Sequence, residues 1–154
     1  MKQSGTRLIV KNQKAFHEYF VEERFEAGIE LFGTEVKSVR QGKVNLKDSW
    51  VSIVGGEMQI NGMHISPYEH GNIFNRDPMR VKRLLMHKKE IKRLFDLTKQ
   101  QGYAIIPLSV YFKKGRAKVQ VGLCKGKKLY DKRDVAAERD AKRNIDRAMR
   151  QKDE

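Results

Sequence analysis

The chain is 154 residues long, within the roughly 100–200 residues that usually form one domain, and long enough to bury a modest core. Lys and Arg number 33 against 19 Asp and Glu, a formal charge of +14, so a polyanion is the expected partner, nucleic acid first. No apolar run approaches the ~20 residues of a bilayer-spanning helix, residues 1–7 lack the apolar core of a secretory signal, and the single Cys124 permits neither an internal disulfide nor a zinc cluster. The expectation is a soluble cytoplasmic protein with no membrane partner.

Along residues 14–21, Ala15, Phe16, Tyr19 and Phe20 fall on one helical stripe with His17 and Glu18 off it, which predicts a short amphipathic helix. Asn12 stands where an N-cap belongs. Its side-chain oxygen suits an orphan first-turn amide, a role that the sequence alone favours over RNA contact. Phe25, Ala27, Ile29 and Leu31 then alternate with Glu26, Gly28 and Glu30, as in a strand with one buried face. Val36 and Val39 are three apart, which predicts a short helix over 34–40 capped by Thr34, with Lys37 and Arg40 on a shared face. Residues 44–46 and 50–54 read as strands, and Gly55-Gly56 ahead of 57–60 is a hairpin signal, because glycine takes positive φ without steric cost. His64-Ile65-Ser66-Pro67-Tyr68 ends that strand, and 71–78, with its Gly, Asn, Asp and Pro, is an exposed loop.

Residues 81–86 read as a basic strand whose apolar run, Leu84-Leu85-Met86, places Leu85 in the core. A helix over 88–101 follows, with Ile91, Leu94, Phe95 and Leu97 as its stripe and Gly102 as its stop. Residues 103–112 form a β-branched and aromatic strand, Lys113-Lys114-Gly115-Arg116 a cationic turn, and Val119, Val121 and Leu123 alternate through the returning strand. This pattern predicts a mainly β fold with flanking helices, first of all an OB-like closed antiparallel β-barrel. The step from such a barrel to oligonucleotide binding is fold analogy, not chemistry. Over 134–154, Ala137, Ala141, Ile145, Ala148 and Met149 recur at helical spacing, a stripe too thin to hold a helix alone. The expected division is a body over 1–124 and a basic tail over 125–154, disordered when free or helical when bound.

For catalysis the residues offer little. His17, His64, His70 and His87 are scattered without a metal-ligand spacing, and the bland reading of His64 and His70 as strand-end or loop histidines outweighs a nuclease acid–base pair. Lys125 beside Cys124 is a setting that lowers a thiol pKa, yet a small buried residue is the plainer role. No phosphate-cradling glycine loop occurs. The expectation is no enzyme, no metal and no cofactor.

Binding is better supported. From Arg76 to Arg93 there are eight bases and two acids, and from Lys113 to Arg133 nine bases and one acid. Two such blocks in one small protein raise RNA or DNA above a merely solvated surface. Tyr19, Tyr68, Tyr111 and Tyr130 offer ring faces for stacking, and Tyr130 stands out because cations flank it in a stretch without core periodicity.

Several strings together carry a resemblance: Asn12-Gln13-Lys14-Ala15, Phe25-Glu26-Ala27-Gly28-Ile29, Gly33-Thr34-Glu35-Val36-Lys37-Ser38, Asn45-Leu46-Lys47-Asp48-Ser49, His64-Ile65-Ser66-Pro67-Tyr68, and Gly126-Lys127-Lys128 followed by Tyr130-Asp131-Lys132-Arg133. Nearly end to end, the chain resembles the small protein B family of bacteria, the SsrA-binding proteins. The resemblance implies an OB-like barrel that binds the tRNA-like domain of transfer-messenger RNA (tmRNA), and a tail that enters the decoding site and mRNA channel of the ribosomal small subunit. It implies a non-enzymatic adaptor in trans-translation, acting with alanyl-tRNA synthetase and GTP-bound elongation factor Tu indirectly, through tmRNA.

Carried over by position, the resemblance makes Asn12, Glu26, Leu85 and Lys118 tmRNA-binding residues, with Arg40 as a phosphate contact beside them. Lys125, Lys127, Lys128, Tyr130, Asp131, Lys132 and Arg133 match its tail-base motif at small-subunit RNA. A general OB-type RNA-binding or ribosome-associated protein is the alternative, and a small nuclease a distant third.

Overall fold

The computed structural model describes residues 6–71, 75–100 and 102–127. Its strands are β1 (Thr6–Lys11), β2 (Tyr19–Ile29), β3 (Val44–Asn45), β4 (Trp50–Val54), β5 (Glu57–Asn61), β6 (His64–Ile65), β7 (Lys82–Leu85), β8 (Tyr103–Lys113) and β9 (Arg116–Gly126). Three helices, α1 (Gln13–Glu18), α2 (Gly33–Arg40) and α3 (Lys88–Thr98), lie between them, so the chain is mainly β with a few helices.

Seven strands pair in the order β1-β8-β4-β5-β7-β2-β9, all antiparallel, and β9 pairs with β8 as well as with β2. The long β8–β9 hairpin is the spine. It turns at Lys114 and Gly115, both at positive φ, and sets Lys113 opposite Arg116 at one end and Tyr103 opposite Lys125 at the other. The alternation read from the sequence places Ala27, Ile29, Val119, Val121 and Leu123 inside, with Met58, Ile60 and Leu84 from the neighbouring strands. Helix α3 covers this core through Ile91 and Leu94, and α2 through Val39. A smaller cluster, Ala15, Ile106, Leu108 and Cys124, lies under α1. Gly122 makes room for it, because a Cβ there would lie 2.8 Å from Leu108 Cδ1.

Several expectations change. Strand β1 adds to the expected elements: Leu8-Ile9-Val10 is a run without alternation, and it pairs with β8 through a register shift between Leu8 and Val10. The first helix stops at Glu18, so Tyr19 and Phe20 open β2 instead of extending a helical stripe. The N-cap of α2 is Phe32, not Thr34, and its backbone N–H donates to the Glu35 carboxylate at 2.8 Å. His64–Ile65 pairs with Val44–Asn45 in a separate two-stranded sheet and does not prolong β5, because Gly62 at positive φ turns the chain away. Helix α3 ends at Thr98. Leu85 is not core. Adjacent strand residues face opposite sides, and in β7 it is Lys82 and Leu84 that point inward, leaving Leu85 44% exposed.

Candidate nucleic-acid interface

The turn end of the β8–β9 hairpin gathers most of the residues expected at a tmRNA site. Lys118 lies opposite Gly28 of β2 on one side and Tyr111 of β8 on the other, and Gly28 in turn lies opposite Leu85 of β7. The β2–β7 pairing is only two residues long, and an open groove of about 280 Å³ forms beside it, lined by Leu85, Phe112, Arg116 and Lys118 among others. Arg40, at the exposed end of α2, carries its guanidinium 5.2 Å from the Phe112 ring centroid, which places it on the same wall.

Glu26 stands next to this groove on β2. Its Oε1 accepts from the Tyr111 hydroxyl at 2.6 Å and from Lys113 Nζ at 3.4 Å. The Tyr111 hydrogen bond holds the carboxyl below the usual carboxylate range, helped by the nearby Lys113 and Lys118 charges. Tyr111 moves the other way, raised first by burial and then by its bond to Glu26. Both bonds use Oε1, so an ionised carboxylate keeps Oε2 as an acceptor for a ribose hydroxyl or a base amine. An acid in a basic groove therefore has a chemical use: it takes donors that phosphate-binding cations cannot.

Asn12 is placed apart from the groove. It is 5% exposed, and its side chain is committed to the fold. Its Oδ1 accepts from Ala15 N at 3.2 Å, and its Nδ2 donates to the carbonyls of Pro107 at 2.8 Å and Leu46 at 3.3 Å. With both amide donors used internally, Asn12 seats α1 against β8 and has no donor left for RNA. The capping role read from its position holds.

Lys125 and Lys127 sit at the opposite end of the hairpin. Strand β9 continues to Gly126, two residues beyond the expected end of the body, so Lys125 is a strand residue, paired with both Tyr103 and Phe20. Lys127 Nζ donates to the Phe16 carbonyl at 3.4 Å. Lys128, Tyr130, Asp131, Lys132 and Arg133 lie outside the described residues, as does the helical stripe expected over 134–154.

The two basic blocks differ in a way their composition hides. In the first, Arg80 binds Glu35 through both nitrogens, Arg93 binds Glu23 likewise, Arg83 lies within 3.7 Å of Glu30 and 3.6 Å of Glu57, and Lys92 pairs with Asp96. Lys82 is buried, its Nζ on the carbonyls of Met63 and Pro78. In the second block, Arg116, Lys118, Lys125 and Lys127 make no ion pair among the described residues, whereas Lys113 pairs with Glu26. A cation without a carboxylate partner is the kind that releases counterions on meeting phosphate, so among the described residues the hairpin keeps more charge available to a polyanion than the first block, where Arg76, Lys88 and Lys89 form no ion pair. Cys124 is buried and its thiol pushed up to about 12 by that burial, as suits a packing residue and not a nucleophile. Among the described residues, no helix is long and apolar enough to cross a membrane.

A basic, mainly β body with a groove that combines cations, an ionised carboxylate and an exposed leucine defines a class, an RNA-binding β protein. Comparison narrows it. Residues 9–151 match the family model described as SmpB protein, and the chain belongs to that family. It is 58% identical over 151 residues to the SsrA-binding protein of Ruminiclostridium cellulolyticum, covering 98% of each chain. It is 59% identical over 149 residues to the SsrA-binding protein of Clostridium kluyveri, covering 97% of this chain and 95% of that one. A chain of the solved structure "tmRNA-SmpB: a journey to the center of the bacterial ribosome" is 44% identical, with a TM-score of 0.69 over 84% of this chain and 90% of its own.

Proposed function

We propose that this protein is a non-enzymatic adaptor that binds the tRNA-like domain of tmRNA and brings it to stalled ribosomes for trans-translation. Membership of the SmpB family supports the partner and the process. The observation that carries the mechanism is the groove where Leu85, Lys118 and Arg40 converge beside Glu26. Lys118, Arg40 and Arg116 take phosphates and fix register. Glu26 accepts from ribose or base, and Leu85 offers an apolar face to an unstacked base. Asn12 acts at one remove, as a positioning residue that holds α1.

The pairing circuit β8-β4-β5-β7-β2-β9, returning to β8, supports an OB-like closed barrel as the body. Residues 1–124 are its core, with β9 adding Lys125 and Gly126, and the remainder is the tail that enters the decoding region and mRNA channel of the small subunit. There Tyr130 stacks while Lys128, Lys132 and Arg133 take phosphates. The protein works in the cytoplasm, and alanyl-tRNA synthetase and elongation factor Tu meet it only through tmRNA.

A competition gel shift at fixed salt tests the partner: tmRNA should displace a labelled tRNA-like domain far better than bulk tRNA, and equal competition would refute the adaptor reading in favour of a general RNA-binding protein. A reconstituted rescue assay tests the division of labour. Truncation after Lys127 keeps all of β9 and should retain most tmRNA affinity while abolishing tagging of stalled chains; equal loss of both would show that body and tail are not separable.

A further inference from the structure

Leu85 also lines a second and larger groove, of about 760 Å³, between α3 and the β4–β5 hairpin. The buried Met58 and Leu84 lie in its lining with Ile91, and Phe95 stands beside them 42% exposed. Ile91 and Phe95 are four residues apart in α3, and so are Lys88 and Lys92, so the helix turns an apolar ridge and a cationic ridge toward the same groove. Among the described residues that line it, Arg83, Lys88 and Lys92 are cations and Glu57 is the one acid. Arg83 lies 3.6 Å from Glu57 and Lys92 3.5 Å from Asp96, whereas Lys88 forms no ion pair among the described residues.

An apolar lining gives a phosphodiester chain nothing to bind, and a groove open on one side leaves a small molecule largely in water. A segment with an apolar face and an acidic flank meets both ridges of α3 at once. We infer that this groove is a protein-docking site whose occupant is an amphipathic helix with an acidic flank, supplied by a partner protein. Its apolar side chains at i, i+3, i+4 and i+7 pack on Ile91, Phe95 and Leu84, and its carboxylates face Lys88 and Lys92. From Lys88 to Phe95 α3 advances ~10 Å at about 1.5 Å per residue, so about two turns of the partner helix span the contact. The charge selects among partners, because a basic flank would be set against like charges. Docking here needs no RNA and goes beyond the adaptor reading above.

The test measures binding of the full-length protein to a fluorescein-labelled helical peptide of designed sequence, with Leu at i, i+3, i+4 and i+7 and Glu on one flank. Anisotropy is read at ~0.15 M salt, where exposed charges more than about 8 Å apart are screened. Two control peptides carry Lys in place of every Glu, or the same residues in scrambled order. The acidic peptide should bind at least about tenfold more tightly than either. Phe95→Ser should weaken it about tenfold and Lys88→Glu about fivefold. Both variants should keep the wild-type urea midpoint, since Phe95 is exposed and an acid suits the first turn of a helix. Equal binding of the scrambled peptide, or full affinity in both variants, would overturn the docking site. Affinity that rises about tenfold on truncation after Lys127 would make the chain's own tail the occupant, and a dimer that Phe95→Ser dissociates would make it a second copy; either result overturns the partner helix.

Discussion

Replacing Asn12 by alanine separates two roles that one residue can have in an RNA-binding protein. The change removes the cap on Ala15 N, typically worth ~1 kcal/mol, and the donor to Pro107, whose buried carbonyl then loses about 1–3 kcal/mol. The third bond, to Leu46, matters less, because that carbonyl also accepts from the Ser49 backbone and hydroxyl. The expected loss is therefore about 2–4 kcal/mol, out of a total stability on the order of 5–15 kcal/mol. With an m-value of roughly 2 kcal/mol/M, the urea midpoint should fall by about 1–2 M. Below the transition the protein remains folded, and tmRNA affinity measured there should stay within about twofold of wild type. Asn12→Asp keeps the cap acceptor but sets a buried carboxylate oxygen against the Pro107 and Leu46 carbonyls, so its midpoint should fall at least as far as that of Asn12→Ala. An unchanged midpoint together with a tenfold loss of affinity would refute this reasoning and make Asn12 a direct RNA contact.

Other expectations are quicker to state. Leu85→Ser should weaken tmRNA binding without lowering the urea midpoint, since Leu85 is exposed at the groove; a midpoint shift comparable to that of Leu84→Ser would restore it to the core. Tyr111→Phe removes the principal donor that holds Glu26 ionised, so the Glu26 carboxyl, followed by NMR titration, should titrate at higher pH in the variant. Two buried groups act oppositely on alkaline stability. Burial lowers Lys82 from 10.5 to about 8, so between those values the unfolded chain binds more protons and stability rises with pH. Burial raises Cys124 from 9.0 to about 12, so between those values the folded chain binds more protons and stability falls. In wild type the two should largely cancel between about pH 9 and 10, whereas the urea midpoint of Cys124→Ala should continue to rise; parallel pH profiles would refute the assignment.

Much of the architecture was legible because its causes are local. The alternation in β2 and β9, the Gly55-Gly56 hairpin, the cationic turn at Gly115 and the Asn12 cap each depend on a few neighbouring residues. Strand β1 escaped because Leu8-Ile9-Val10 has no period of its own and becomes a strand only by pairing with β8, about 100 residues later. The groove was visible only in part. The family resemblance points to Glu26, Leu85 and Lys118, but Phe112 and Arg116, which line the groove with them, stand in the sequence only as a strand end and a turn residue. Tyr111 was one ring among several until its hydroxyl met Glu26 from 85 residues away.

By itself, the order of residues determined that the protein is basic, mainly β, and built to meet RNA, because charge and short-range periodicity are properties of the chain. Only the tertiary structure decided which charges are available. Arg80 and Arg93 are neutralised by Glu35 and Glu23, which lie 45 and 70 residues away in sequence, and Lys82 is buried. Among the described residues, Lys118 and Lys125 form no ion pair, because β9 carries them to the two ends of one hairpin, away from those carboxylates. A sum over the sequence counts every cation alike, whereas a phosphate can bind only one that folding has left without a partner.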